Sequence, residues 1–446
     1  MGGAGWLRVA AAAGCAAVTC ALATAMVAQR VVAWRRWLRA MAVLRDVEES
    51  FATPTERLER VVNSLAVEMF AGLASEDASK VRMLHTCVDL LPDGSEEGIY
   101  YAVDIGGTGF RFLKVELGAG STIINQKIEH QPVKKELMEG TSEIGQDVAQ
   151  CLNEALERNG LNLKVNALMN NTVGTLAMGH YYDEDTIAAV IIGAGTNACY
   201  IERNEAITKC QRLLTNSGQT VVNVEWGSFR PPQIPLTPYD ICFYNETPNY
   251  YDQGFEKMIS GVYLGEIARL VFHKMAQESD VFGTDVDGLA IPFILSTPCL
   301  SAIREDDSLD LKEVGRILEE HLKIHNVPLK TRRLVQRVCD IITQRAARLA
   351  AAGIVAILQK LGRDGTLCGT TRVRSIAGVP KRSVIAIEGG LYQEYSLFRE
   401  YLNEAVLEIL GEEIAATVVL KVVEEGSGVG AALIAAAYSS TRKNSI

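Results

Sequence analysis

Apolar positions along the chain follow two periods. Short runs rich in Val, Ile and Tyr fall at Ile99 to Val103, Phe110 to Glu116, Thr122 to Ile128, Val165 to Met169, Ile187 to Ile192 and Val221 to Trp226, and each predicts a strand. Apolar residues recur at three- and four-residue spacing in Ile144 to Arg158, Gly254 to Ala276, Lys312 to Leu322, Thr331 to Leu361, Glu394 to Leu410 and Val429 to Tyr438, which predicts helices. Another helix is predicted over Thr53 to Ala71, where Thr53-Pro54-Thr55 supplies a start. Strands alternating with helices predict an α/β protein with mostly parallel central sheets. The Gly-, Thr- and Arg-rich stretch from Gly362 to Arg382 reads as an exposed loop. A Gly-rich turn recurs after a strand near each end, Asp104 to Gly109 and Glu425 to Gly430, which hints at two related halves around a cleft.

Size and charge narrow the class. The 446 residues are 48% hydrophobic and carry a formal charge of −10. That is enough to bury two domain cores, and it excludes disorder and gives no expectation of direct nucleic-acid binding. The ten cysteines lie singly between Cys15 and Cys368, with no Cys-x-x-Cys pair, so neither a zinc site nor a disulfide framework is signalled and a reducing compartment is favoured.

The N-terminus is a separate segment, residues 1–40. From Val9 to Ala28 no residue is charged, about the length a helix needs to cross a bilayer. Arg8 precedes this run and Arg30, Arg35, Arg36 and Arg39 follow it, a bias that puts the body of the protein in the cytosol, with Trp6, Trp34 and Trp37 as interfacial anchors. A membrane-anchoring helix is the favoured reading. An organellar presequence and a secretory signal ending at Ala21-Leu22-Ala23 stand as alternatives.

Six short strings carry candidate chemistry. Asp104-Ile105-Gly106-Gly107-Thr108 ends a strand and turns tightly, so its amides can face a phosphate, Thr108 offers a hydroxyl and Asp104 can hold a magnesium ion through water. A Gly-Gly turn by itself is more often a hairpin, and this one lacks the Walker lysine and the third glycine of the dinucleotide fold. Gly193-Ala194-Gly195-Thr196-Asn197 follows an apolar strand, Met169-Asn170-Asn171-Thr172-Val173-Gly174-Thr175 reads as a phosphotransfer loop, and Val224-Glu225-Trp226-Gly227 and Gly254-Phe255-Glu256-Lys257 present carboxylates. A carboxylate accepting from adjacent hydroxyls suits sugar recognition, although an isolated Glu is nearly always surface charge. Gly426-Ser427-Gly428-Val429-Gly430 opens a predicted helix, whose first amides favour an anion.

Taken in order, these strings resemble the eukaryotic hexokinase family, the plant members most closely, from about Thr53 to the C-terminus. The resemblance implies an actin-like (ribonuclease H-like) fold of two α/β domains, here 53–195 and 196–440. It implies transfer of the γ-phosphoryl of Mg-ATP to the 6-hydroxyl of glucose or a similar hexose, at the entry to glycolysis. It assigns Asn170, Asn171, Asn197, Glu225 and Glu256 to the sugar. Asp104, Gly106, Gly107, Thr108, Gly195, Thr196, Gly426 and Ser427 fall to the nucleotide and its phosphates, with no protein group binding metal directly. Ile385-Ala386-Ile387-Glu388-Gly389-Gly390-Leu391 completes the adenosine segment, with Glu388 where the family usually has Asp. Similar leaders hold plant hexokinases on the mitochondrial outer membrane facing the cytosol, with the plastid as the alternative site.

Two departures stand against normal turnover. The Asp that takes the hydroxyl proton in the family's Asn-Asp-Thr-Val-Gly-Thr is Asn171 here, and losing a general base typically lowers a rate by about 10²–10⁴. Glu143 runs straight into Ile144, whereas the family carries a long stretch between those segments with a Ser-Phe-Pro sugar loop and a Thr-Lys-Gly-Phe loop. Neither string occurs in this chain. The resemblance therefore implies an incomplete smaller domain and impaired catalysis, and its rival is a non-phosphorylating glucose sensor or scaffold. Oligomeric state and preferred hexose are left open.

Overall fold

The computed structural model describes residues 3–106, 109–132, 147–211, 217–230, 236–246, 253–284, 286–365 and 381–443, with backbone alone for 3–19, 245–246 and 440–443. The Glu143–Ile144 junction, the turn residues Gly107 and Thr108, and most of the predicted 362–382 loop lie outside the described residues. The chain divides into two compact units, one of Met1–Ala52 with Gly265–Ile342, the other of Thr53–Leu264 with Thr343–Ile446.

In the first unit a single 49-residue helix runs over Gly3–Phe51. Its early part leaves Leu22, Met26, Val27, Trp34 and Leu38 exposed, whereas Ala40, Val43, Leu44, Val47 and Phe51 are buried. The apolar face after residue 40 is thus held by protein, and the five residues named before it are not. Arg36 reaches Asp280 at 3.3 Å and Lys330 sits 4.9 Å over the Trp37 ring. Helix Leu329–Lys360 is also apolar and long enough to cross a membrane, but its apolar window is 89% buried inside the protein, so it is a core helix.

The second unit holds two sheets. Strands β1 (Leu84–His85), β2 (Gly98–Gly106), β3 (Gly109–Gly118), β4 (Thr122–Pro132), β5 (Thr186–Ile192), β6 (Thr196–Arg203), β7 (Gln219–Asn223), β8 (Ser383–Glu388) and β9 (Val418–Val422) form a three-stranded sheet β2-β3-β4 and a six-stranded sheet β1-β7-β6-β5-β8-β9. Among the described residues β5–β8 and β8–β9 pair in parallel and the other pairs are antiparallel. The expectation of mostly parallel sheets is therefore corrected. Short chain reversals after β2, β3 and β5 impose hairpin pairing, and only the long excursions before β8 and β9 allow parallel pairing.

Two helices join these sheets. Helix Asn171–Tyr182, read from sequence as a loop, buries Val173, Leu176 and Ala177, and helix Gly426–Lys443 buries Val429, Ala432 and Leu433. Together with Leu113, Val115 and Leu117 of β3 they form one apolar cluster. The helices cross at glycines: a Cβ on Gly430 would lie 1.8 Å from the Gly174 carbonyl oxygen, and one on Gly174 would lie 2.3 Å from the Ser427 carbonyl oxygen. Close backbone approach of this kind needs Gly, and it fixes the first turns of the two helices side by side.

The opposite face of the small sheet is exposed along β2. Ile99, Tyr101, Val103 and Ile105 alternate with the buried Ala102 and Asp104 along β2, and all four are exposed, as is Phe112 of β3. Helix Val148–Arg158, predicted as amphipathic, buries no residue. The predicted strand Val165–Met169 forms no regular element and joins no ladder, and Leu161, Leu163 and Leu168 are exposed. A strand needs a neighbour to satisfy its backbone, and among the described residues no strand pairs with the second edge of β2.

Candidate active site

The sequence-predicted residues converge. Asp104, Gly106, Asn170, Asn171, Gly195, Thr196, Asn197, Glu225, Glu256 and Ser427 all line one open cleft of about 1480 Å³ in the second unit. Typical single-ligand pockets measure about 300–1,000 Å³, so the cleft has room for two ligands. Gly426 precedes Ser427 at the start of its helix.

One half of the cleft is built by β6, β7 and the turn that follows. In the β6–β7 ladder Cys199 faces Asn223, so Asn197, two residues earlier on β6, lies diagonally beside Asn223 on one sheet face. Asn223 is 4% exposed. Its Nδ2 donates to Glu225 Oε1 at 2.8 Å, and its Oδ1 accepts from Asn197 Nδ2 at 2.8 Å. Asn197 Nδ2 also donates to Glu225 Oε1 at 3.0 Å, and its Oδ1 accepts the Glu225 amide at 3.1 Å. Glu225 has φ 56 and ψ 45, a left-handed conformation that costs a non-glycine residue about 1–3 kcal/mol and persists only where neighbours impose it. The two asparagines impose it here. Glu256 Oε2 accepts the Thr196 amide at 3.0 Å. Burial raises the Glu256 pKa above the usual carboxylate value, the Thr196 amide opposes the rise, and the neighbouring Glu225 charge adds to it.

Asn170 and Asn171 stand at the head of helix Asn171–Tyr182. Asn170 is its N-cap: Oδ1 accepts from the Thr172 amide at 3.0 Å and from Thr172 Oγ1 at 2.8 Å. That oxygen is committed to capping, which leaves the Asn170 NH₂ as the group with freedom to meet a ligand. The Asn171 side chain lines the cleft, and among the described residues none accepts from or donates to its amide.

The other half gathers charge. Arg111 pairs with Asp104, reaches Glu425 Oε2 at 2.7 Å and donates to Ser427 Oγ at 2.7 Å. Burial works against the Arg111 charge, but Asp104, Glu425 and Glu388 outweigh it and hold the guanidinium above its ordinary pKa. Glu388, at the end of β8, accepts the Ser427 amide at 2.9 Å and the Thr175 hydroxyl at 2.5 Å, and burial leads the causes that raise its pKa. Among the described residues no group of three or more His, Cys, Asp or Glu gathers to hold a metal. The available donors are oxygens, which suits a Mg²⁺ ion that keeps its waters and arrives on phosphate groups.

Sequence reasoning gave no role to Arg111 or Asn223. Arg111 stands in the quoted first motif and was readable from its strand register, since it faces Asp104 across the β2–β3 ladder. Asn223 had no such signal, because its function comes from the β6–β7 pairing.

Two hexokinase family models match, one over residues 187–437 and one over 43–144 and 141–181. The second match is broken where Glu143 meets Ile144. The chain is 67% identical to Hexokinase-10 of Oryza sativa subsp. japonica, covering 99% of each protein, and 44% identical to Hexokinase-3 of Arabidopsis thaliana, covering 98% of this chain and 100% of that one. The rice alignment spans 499 positions against 446 residues, so at least 53 of its positions (499 less 446) face no residue of this chain. A Schistosoma mansoni hexokinase solved with glucose shares the fold, with a TM-score of 0.78 at 24% identity over 89% of this chain and 99% of that one. With both halves of the cleft built from motifs that these matches span, the chain belongs to the hexokinase family, in its plant branch.

Proposed function

We propose that the chain is a hexose and Mg-ATP binding member of this family whose turnover is strongly reduced. The observation that carries the reading is Asn171, an amide lining the cleft at the head of a helix where proton transfer from a sugar hydroxyl needs a base. Glu225 and Glu256 accept from hexose hydroxyls, with Asn197 and the Asn170 NH₂ beside them. The Thr196 hydroxyl donates to phosphate oxygens, with Ser427 beside them at the helix start, and Arg111 offsets the charge that grows on them during in-line transfer. Mg²⁺ brought with the nucleotide would neutralise phosphate charge, with Asp104 holding it through water. An amide at 171 can orient the attacking hydroxyl but cannot take its proton at neutral pH.

The second break supports the same reading. More than fifty positions of the rice relative have no counterpart here, and the bare face of β2, the unburied helix Val148–Arg158 and the unpaired Val165–Met169 fit the loss of one wall of a smaller domain running over 53–195. The exposed apolar residues of helix Gly3–Phe51 before Ala40 support anchoring to a membrane, with the mitochondrial outer membrane as the favoured site. A glucose sensor that does not phosphorylate is the second reading, favoured by the Asn197–Asn223–Glu225 network, which is organised without a ligand.

Calorimetry with glucose and Mg-ATP, beside a coupled phosphorylation assay, tests this. The expected result is weak Mg-ATP binding with turnover reduced at least about 10²-fold from an active relative. Turnover equal to that of the relative would refute it, as would the absence of nucleotide binding at millimolar concentration.

A further inference from the structure

Glu388 replaces a shorter carboxylate of the family pattern, and its geometry gives the change a consequence. The side chain is 8% exposed. Its Oε2 accepts from the Ser427 amide at 2.9 Å and from Thr175 Oγ1 at 2.5 Å, and its Oε1 accepts from Ser427 Oγ at 3.3 Å. The single Ser427 hydroxyl proton is shared with Asp104 Oδ2, the nearer acceptor at 3.0 Å. The first amides of an 18-residue helix are the donors that an incoming phosphate would use, and one of them is already taken by a carboxylate. Around it Asp104, Glu388 and Glu425 face one guanidinium, that of Arg111. Negative charge is in excess where phosphates would sit.

We infer that Glu388 serves as a built-in anion at this helix start, so that the cleft rejects bare phosphate groups and admits them when a divalent cation offsets their charge. The inference rests on the nucleotide reading given above and deepens it. Glu388 acts through Ser427 and is a positioning residue.

The test uses the full chain with Glu388→Gln and Glu388→Asp, titrated by calorimetry with inorganic pyrophosphate, with ATP in EDTA and with Mg-ATP. Gln keeps an oxygen for the Ser427 amide and removes the charge. Its expected effect is to tighten binding of pyrophosphate and metal-free ATP by about tenfold, the change that about 1.4 kcal/mol of lost repulsion gives, with Mg-ATP affected less than about threefold. Asp keeps the charge and loses the reach, and should gain about threefold for bare anions. If Gln fails to fold, as read by circular dichroism, the Asp variant carries the test alone. Bare-anion affinities equal to those of the natural chain in the folded variants overturn the inference. Pyrophosphate bound by the Gln variant with Mg-ATP bound by none would refute the nucleotide reading and leave this one standing. Mg-ATP bound equally by all, with no gain for bare anions, would do the reverse. No binding of any probe overturns both.

Discussion

Gly430 and Gly174 meet so closely that a Cβ on Gly430 would stand 1.8 Å from the Gly174 carbonyl oxygen. One glycine sits on the helix headed by Asn171, the other on the helix headed by Ser427, so this contact sets the spacing between the two halves of the cleft. Gly430→Ala gains up to about 1 kcal/mol of helix propensity but must push one backbone off the other, and overpacking typically costs about 1–3 kcal/mol even against movable side chains. The clash wins, and denaturant unfolding should show a net loss of about 2 kcal/mol or more. Gly193→Ala, which meets nothing closer than 3.5 Å, should stay within about 0.5 kcal/mol. Equal effects from the two would contradict the contact.

The two faces of β2–β3 should respond oppositely. Leu113 is buried and Tyr101 and Val103 are exposed, so Leu113→Ala should cost about 2–5 kcal/mol. Tyr101→Lys or Val103→Lys should leave stability within about 0.5 kcal/mol and reduce self-association and binding of a hydrophobic dye, as expected for a contiguous apolar patch. A large stability loss from either lysine would show that something covers that face.

The sequence made most of this scaffold readable, because periodic apolar runs such as Ile187–Ile192 and Lys312–Leu322 became buried elements close to their expected bounds. Helix Asn171–Tyr182 was missed because Thr, Val and Gly at its start do not favour helix; tertiary burial of Val173 and Leu176 and the Asn170 cap override propensity. Val165–Met169 fails in the other direction, since strand propensity is met only with a partner. Asn223 was silent for the same reason: cross-strand register is not written in local sequence.

Glu256 should make stability fall with rising pH. Its folded pKa is raised, first by burial, so its contribution is fully present below the unfolded value and is lost as pH rises through the folded one. Glu256→Gln removes that loss. Melting curves from pH 4 to 8 should show the variant gaining on the natural chain above the ordinary carboxylate range, while any glucose affinity drops. A difference that does not change with pH would contradict the burial argument.

Deleting Met1 to Arg39 removes the exposed apolar part of the first helix and spares the buried Ala40, Val43 and Val47. The lost Arg36–Asp280 pair is half exposed and contributes little. Fractionation should find the natural chain with membranes, protease-accessible from the cytosolic side, and the truncated chain soluble. Protection of the natural chain inside a sealed organelle would contradict a cytosol-facing anchor.

The central claim is that two lesions act together, one chemical at Asn171 and one structural at the Glu143–Ile144 junction. A base helps only if the sugar hydroxyl is held within hydrogen-bond reach of it, and on the proposed reading the stretch absent at Glu143–Ile144 would supply one wall of that grip. The direct measurement is a coupled glucose-phosphorylation assay on four proteins: the natural chain, Asn171→Asp, the chain with the relatives' missing stretch inserted after Glu143, and both changes together. The account predicts little gain from Asn171→Asp, restored hexose binding with slight turnover from the insertion, and a combined effect far beyond the sum. Recovery of about 10²–10⁴ by Asn171→Asp alone would contradict it.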